Sequence, residues 1–123
     1  SMHGQNNYPL QKENSNLDVA LKDGIQDKEY LYLLALNLDQ ILHHFHPDFI
    51  FYQCGVDILE SDKLGKLGVS MKGCLERDQF VFQLARQLHV PIVCTMGGGY
   101  SPKIKDIVDA HAQTFRAGLH ILT

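Results

Sequence analysis

The residues best placed to do chemistry follow two apolar runs. Asp57 stands in the stretch Gln53 to Gly65 (Gln-Cys-Gly-Val-Asp-Ile-Leu-Glu-Ser-Asp-Lys-Leu-Gly), directly after the aromatic run Asp48–Tyr52. A carboxylate in a glycine-flanked loop at a strand end can ligate a divalent metal. It can equally accept hydrogen bonds from the N–H groups of its own loop, and the residue types leave both roles open. Gly97, Gly98, Gly99 and Tyr100 follow the second run, Pro91–Met96. Consecutive glycines let a backbone approach a substrate closely, and a tyrosine beside them can donate a hydrogen bond to a developing oxyanion. The competing reading is an ordinary strand-to-helix turn with a packed ring. A phosphate-cradling loop would need GxGxxG or GxxxxGK[ST], and the chain has neither.

Other candidates carry less. Glu60 and Asp62 are expected in solvent. His43, His44 and His46 cluster at a helix end, away from the strand tips, and none of the seven histidines stands in a ligand pattern such as HExxH. His111 reads as a hydrogen-bonded core histidine. Cys54 and Cys94 read as inert strand thiols.

Elements of regular structure must position these groups. Residues 1–26 are turn-rich and irregular, with a short alternating segment at Leu17–Leu21. Asp27 can cap a helix over Lys28–His44 whose stripe is Tyr30, Leu31, Leu34, Leu38, Ile41, Leu42 and Phe45. Pro47 ends it, and a buried strand over Asp48–Cys54 follows. Ser70 can cap a helix reaching Leu88, with Leu75, Phe80, Val81, Leu84, Ala85 and Leu88 inside. After the strand Pro91–Met96, Ser101 and Pro102 suit the start of a last helix, with Ile104, Ile107, Val108, His111 and Phe115 inward. Helix, strand, helix, strand, helix over 27–123 is the alternation of an α/β fold with a parallel sheet. In such sheets ligands bind beyond the carboxyl ends of the strands, so Asp57 and Tyr100 are expected on one rim.

Bulk properties narrow the function. The 123 residues suit a single domain or a piece of one, and 45% apolar with 20% charged residues indicates a globular chain. A net charge of −3 gives no electrostatic reason to expect nucleic acid. No apolar stretch is long enough for a membrane span. Ser1–Gln11 is polar, so no signal peptide is expected there. Three cysteines without CxxC spacing point to reduced thiols and a cytoplasmic setting, or a nuclear one in a eukaryote.

Taken together, Asp48-Phe-Ile-Phe-Tyr-Gln-Cys-Gly-Val-Asp57, Ser61-Asp-Lys-Leu-Gly65 and Met96-Gly-Gly-Gly-Tyr100 resemble the zinc-dependent histone deacetylase family, and its bacterial, acetoin-utilisation-type and class IV-like members in particular. The resemblance covers nearly the whole chain. It implies a three-layer arginase/deacetylase fold, of which this chain carries a partial parallel sheet flanked by helices. It implies hydrolysis of acetyl-lysine or another acyl amide by a zinc-bound water, since zinc both lowers the pKa of water and polarises a carbonyl. By residue match, Asp57 is a zinc ligand and Tyr100 the oxyanion-stabilising hydroxyl. Leu64 lines the acyl tunnel, and Gly98 and Gly99 shape its floor.

The sequence departs from that family in having no Asp-x-His before Asp57, where the family places it, and no catalytic histidine pair. His43-His44 is a pair in the wrong order and setting. The chain therefore reads as the C-terminal portion of a deacetylase, inactive alone because a catalytic zinc needs about three protein ligands. Its open strand edge implies that it needs the missing half or self-associates. A non-catalytic α/β binding or assembly module is the alternative from another class, and a flavodoxin-like small-ligand binder is a weaker third.

Overall fold

A computed structural model describes residues 1–123. The order is β1 (Met2–Gly4), β2 (Val19–Leu21), α1 (Asp27–His44), β3 (Ile50–Gln53), α2 (Met71–Leu88), β4 (Ile92–Thr95) and α3 (Ile104–Leu122). β1 pairs with β2 and β3 with β4, both in parallel. The expected single sheet is thus divided into two strand pairs.

The helix starts are set by tertiary partners. Ser70 caps α2 as expected, accepting from the Gly73 N–H at 3.0 Å. Asp27 does not cap α1: Gln26 holds that position without a side-chain bond. The Asp27 carboxylate accepts instead from the Ser70 N–H (2.7 Å) and hydroxyl (2.5 Å), tying the starts of α1 and α2 together. Gly73 lies so close to that carboxylate that no side chain fits there. Ser101 and Pro102 do not begin α3 either. The helix starts at Ile104 after Lys103, because the buried Ser101 hydroxyl is bonded to Ser61 Oγ at 2.7 Å.

The inward faces differ from expectation in α2 and α3. Phe82, not Phe80, is the buried phenylalanine of α2. Helix α3 buries Ala110, His111, Thr114, Ala117 and Ile121, while Ile104, Val108 and Phe115 are exposed. The chosen face is the small one because α3 packs tightly on α2: a methyl group on Gly118 would touch the Phe82 ring at 3.4 Å. The stripe of α1 is buried only at Tyr30 and Leu34; Ile41 and Phe45 are open.

Half of the larger core comes from the loop between β3 and α2. Val56, Ile58, Leu59, Leu67 and Val69 pack there with Leu21, Ile25, Tyr30, Cys74 and Ala110. The loop is also stitched by a Leu59–Val69 bridge and by Gly68 N–H donating to Ile25 O. Burying this apolar area, at ~25 cal/mol per Å2, makes the segment that carries Asp57 part of the folded core. Strand β3 itself is covered on one face only, which corrects the buried-strand expectation. Tyr52 and its partner Cys94 pack toward Phe82, whereas Phe51 is 80% exposed beside Val93.

Candidate functional site

The end of β3 is held from beneath by a buried polar group on α2. Arg77 donates from Nη1 to the Gly55 carbonyl at 2.6 Å and pairs with Asp78. Asp78 also accepts from the Tyr52 hydroxyl (2.5 Å) and the Thr114 hydroxyl (2.6 Å). The Gly55 carbonyl and the Tyr52 and Thr114 hydroxyls thus all bond to one sequestered ion pair, which satisfies the requirement that a buried charge be partnered. Burial pushes the Tyr52 hydroxyl far above the usual phenol range, with nearby Asp78 adding to the rise, so it stays a donor. Burial likewise pushes the Cys54 thiol up and the Cys94 thiol up to about 11, which makes both poor nucleophiles as expected; it pushes Cys74, on α2, up to about 11 as well.

The β3–β4 ladder continues past both strands, since Val56 N–H donates to Gly97 O at 2.9 Å. This brings Asp57 level with Gly98. A Cβ on Gly98 would lie 2.6 Å from Asp57 Cβ and 2.9 Å from its Cγ, and Gly98 has φ +67°. Both the contact and the left-handed backbone require glycine. A Cβ on Gly55 would lie 2.7 Å from Asp57 Oδ1, and Gly65 packs on the Asp57 carbonyl. Half-buried among three glycines, the Asp57 carboxylate makes no hydrogen bond within the chain.

The backbone-binding role belongs to a different acid. Asp62, expected in solvent, is 8% exposed. Its Oδ1 accepts from the N–H groups of Leu64 and Gly65, both at 2.8 Å, and its Oδ2 accepts from the Tyr100 N–H at 2.7 Å. One carboxylate therefore joins the Asp57 loop to the glycine loop after β4. The Ser61–Ser101 hydroxyl pair makes a second tie. The signal for Asp62 was present in Ser-Asp-x-Leu-Gly, an acid two and three residues before N–H groups it can turn back to meet. The signal for Arg77 and Asp78 was two adjacent opposite charges within an otherwise core-facing helix stretch.

Tyr100 and Leu64 are exposed, at 59% and 50%. Gly99 (φ +110°) packs on Ile107. A groove of about 570 Å3 reaches Asp57, Gly55, Gly65 and His3, but neither Tyr100 nor Leu64 lines it. Glu60 is exposed as expected. His43, His44 and His46 are exposed where α1 leads into β3, at the opposite ends of the strands. His111 is buried as expected, but its Nδ1 has no hydrogen-bond partner. No three His, Cys, Asp or Glu side chains stand together as metal donors. Asp57 offers a single carboxylate and Asp62 is committed to backbone N–H groups, so this chain's residues alone do not fit a catalytic zinc.

Comparison with known proteins agrees with this geometry. Residues 1–115 match the family model described as the histone deacetylase domain. An uncharacterised protein of Picosynechococcus sp. is 39% identical over 117 residues, covering 95% of this chain and 39% of that protein. Histone deacetylase 2 of Arabidopsis thaliana is 35% identical over 102 residues, covering 82% of this chain and 26% of that protein. The solved acetylpolyamine aminohydrolase of Burkholderia pseudomallei superposes with a TM-score of 0.77 at 20% identity, over 98% of this chain and 37% of that one. The chain thus spans two-fifths or less of the length of each.

Proposed function

The chain belongs to the histone deacetylase family, and from that premise we propose that it is the part of a zinc-dependent amidohydrolase that carries the oxyanion tyrosine and one metal-ligand carboxylate. The substrate class is acetyl-lysine or a similar acyl amide. Tyr100 donates its hydroxyl proton in a hydrogen bond to the carbonyl oxygen as that oxygen gains negative charge, a contact stronger in the transition state than in the ground state. Leu64 lines the acyl chain's path, and Gly98 and Gly99 leave room beneath it. Zinc enters as the group whose site Asp57 shares with donors outside this chain, and the chain by itself is inactive.

The observation that supports this reading is the division of labour between the two acids. Asp62 spends its carboxylate on three backbone N–H groups, including that of Tyr100. Asp57 is enclosed by glycines yet keeps its carboxylate uncommitted. A purely structural loop acid would show the Asp62 pattern.

The test exchanges this chain for the matched 117 residues of the Picosynechococcus relative. The chimera is expected to release acetate from an acetyl-lysine peptide or an acetylated polyamine, and a chelator is expected to stop it. Tyr100→Phe should lower kcat by ~10²–10³, the scale for losing one oxyanion donor. Asp57→Asn should lower bound zinc measured by metal analysis. An active chimera whose Tyr100→Phe variant keeps its kcat refutes the assignment. A folded chimera without turnover favours the non-catalytic module. Chelator-sensitive turnover by this chain alone refutes its inactivity.

A further inference from the structure

Tyr100 has little of its own to hold it. Gly98 and Gly99, the two residues before it, take φ +67° and +110°, in the region where glycine moves most freely. After it, α3 does not begin until Ile104. The ring is exposed and belongs to neither apolar cluster. Yet a group that donates to a developing oxyanion must be held to within about 0.5 Å of its productive place. Three consecutive residues of the loop after β3 supply the hold. Asp62 Oδ2 accepts from the Tyr100 N–H at 2.7 Å. The Lys63 N–H donates to the Tyr100 carbonyl at 3.4 Å. Ser61 Oγ is bonded to Ser101 Oγ at 2.7 Å. Both main-chain groups of Tyr100 are thus tied to residues 62 and 63. The Asp62 bond is the strong one of the pair, being short and made to a charged acceptor.

Asp62 is itself fixed to the core. Its N–H donates to Leu59 O at 2.9 Å, and Leu59 is buried and bridged to Val69. Its other carboxylate oxygen holds the Leu64 and Gly65 N–H groups, both at 2.8 Å. The firmest path from Tyr100 to the folded core therefore runs through one carboxylate. That carboxylate also fixes the main chain of Leu64, so the hydroxyl and the side chain on the acyl path keep one relative position.

We propose that Asp62 is the positioning residue of the oxyanion tyrosine: its carboxylate sets where the Tyr100 hydroxyl stands relative to Leu64, and it acts through Tyr100 without contacting the substrate. The proposal rests on the role given to Tyr100 above and names the residue through which that role is exerted. Asp62→Asn separates the two duties of the carboxylate. Its single amide oxygen can keep the two N–H groups of Leu64 and Gly65. The NH2 then faces the Tyr100 N–H, donor against donor. The tie to Tyr100 is lost while the turn at 64–65 remains.

The experiment uses the chimera in which this chain replaces the matched residues of the Picosynechococcus relative, with an acetyl-lysine peptide as substrate. Asp62→Asn should lower kcat by about 10- to 100-fold, the scale for a misplaced reacting group, with KM and bound zinc little changed. In the Tyr100→Phe background the same substitution should lower kcat no further, because a residue that acts through the hydroxyl has nothing to act on once the hydroxyl is gone. Ser61→Ala removes the neighbouring tie and should lower kcat less, with the same dependence on the Tyr100 hydroxyl; it serves if Asp62→Asn does not fold. An unchanged kcat in Asp62→Asn, an equal loss in both backgrounds, or a loss of zinc as large as that of Asp57→Asn each overturns the proposal. If Tyr100→Phe alone has a low kcat in that case, the hydrolytic reading still stands. A Tyr100→Phe variant that keeps its kcat, or a folded chimera without turnover, removes that reading and this proposal with it.

Discussion

Replacing Gly98 by alanine tests the packing of the glycine loop on Asp57. Two costs add. Alanine at φ +67° carries a left-handed backbone penalty of ~1–2 kcal/mol. A smaller unfolded-state entropy offsets this by ~0.4–1 kcal/mol. The new methyl would also meet Asp57 Cβ at 2.6 Å and its backbone nitrogen at 2.8 Å. The second atom is backbone in a core-packed loop, so relief requires moving the loop, an overpacking cost of ~1–3 kcal/mol. The net loss is about 2–4 kcal/mol, a large part of the ~5–15 kcal/mol that holds a typical domain. Gly24 supplies the control: its φ is +71°, but nothing lies within 4 Å of a Cβ there. Gly24→Ala should lose only the backbone part, about 1 kcal/mol or less. In urea unfolding, with a slope of ~1–2 kcal/mol per M, the Gly98 variant should have its midpoint lower than the Gly24 variant by ~1–2 M. Equal midpoints for the two variants would show that Gly98 does not approach Asp57 as described, and the shared rim would lose its support.

Three further outcomes follow from the same geometry. Asp62→Ala should cost about 3–5 kcal/mol, since three partly or fully buried N–H groups lose a charged acceptor, and the Tyr100 amide should lose its exchange protection; Asp62→Asn should fall between, because its NH2 opposes one N–H. Asp78→Ala should cost ~3–5 kcal/mol in denaturant midpoint, the scale for a buried cation stripped of its partner, with Arg77 the cation concerned. Burial, with the Arg77 cation adding, holds the His111 imidazole below its usual range, and Asp78 opposes this only in part. The unfolded chain therefore binds the His111 proton first, so its contribution is complete above the unfolded value near 6.5 and declines as pH falls below it toward the folded value. His111→Gln should flatten the stability profile between pH 6.5 and 5; an unchanged slope would remove His111 as its source.

What the sequence determined by itself was the arrangement that depends on local order. Alternating helices and strands make β3 and β4 parallel, which brings their carboxyl ends to one side, so Asp57 and the glycines before Tyr100 meet on a rim that could be named from spacing. Ser70 was legible as a cap because a cap bonds three residues ahead in the chain. The tertiary structure decided whatever depends on a distant partner. Asp62 is buried because a backbone N–H from 38 residues away completes its shell, and no local pattern reports that. Asp27 gave up capping for Ser70, 43 residues on. Helix α3 carried two possible inner stripes, and the close fit to Phe82 selected the one with Ala110, Ala117 and Gly118 over the one with larger side chains. Periodicity shows that a helix has a buried face; which face it is follows from the shape of what packs against it.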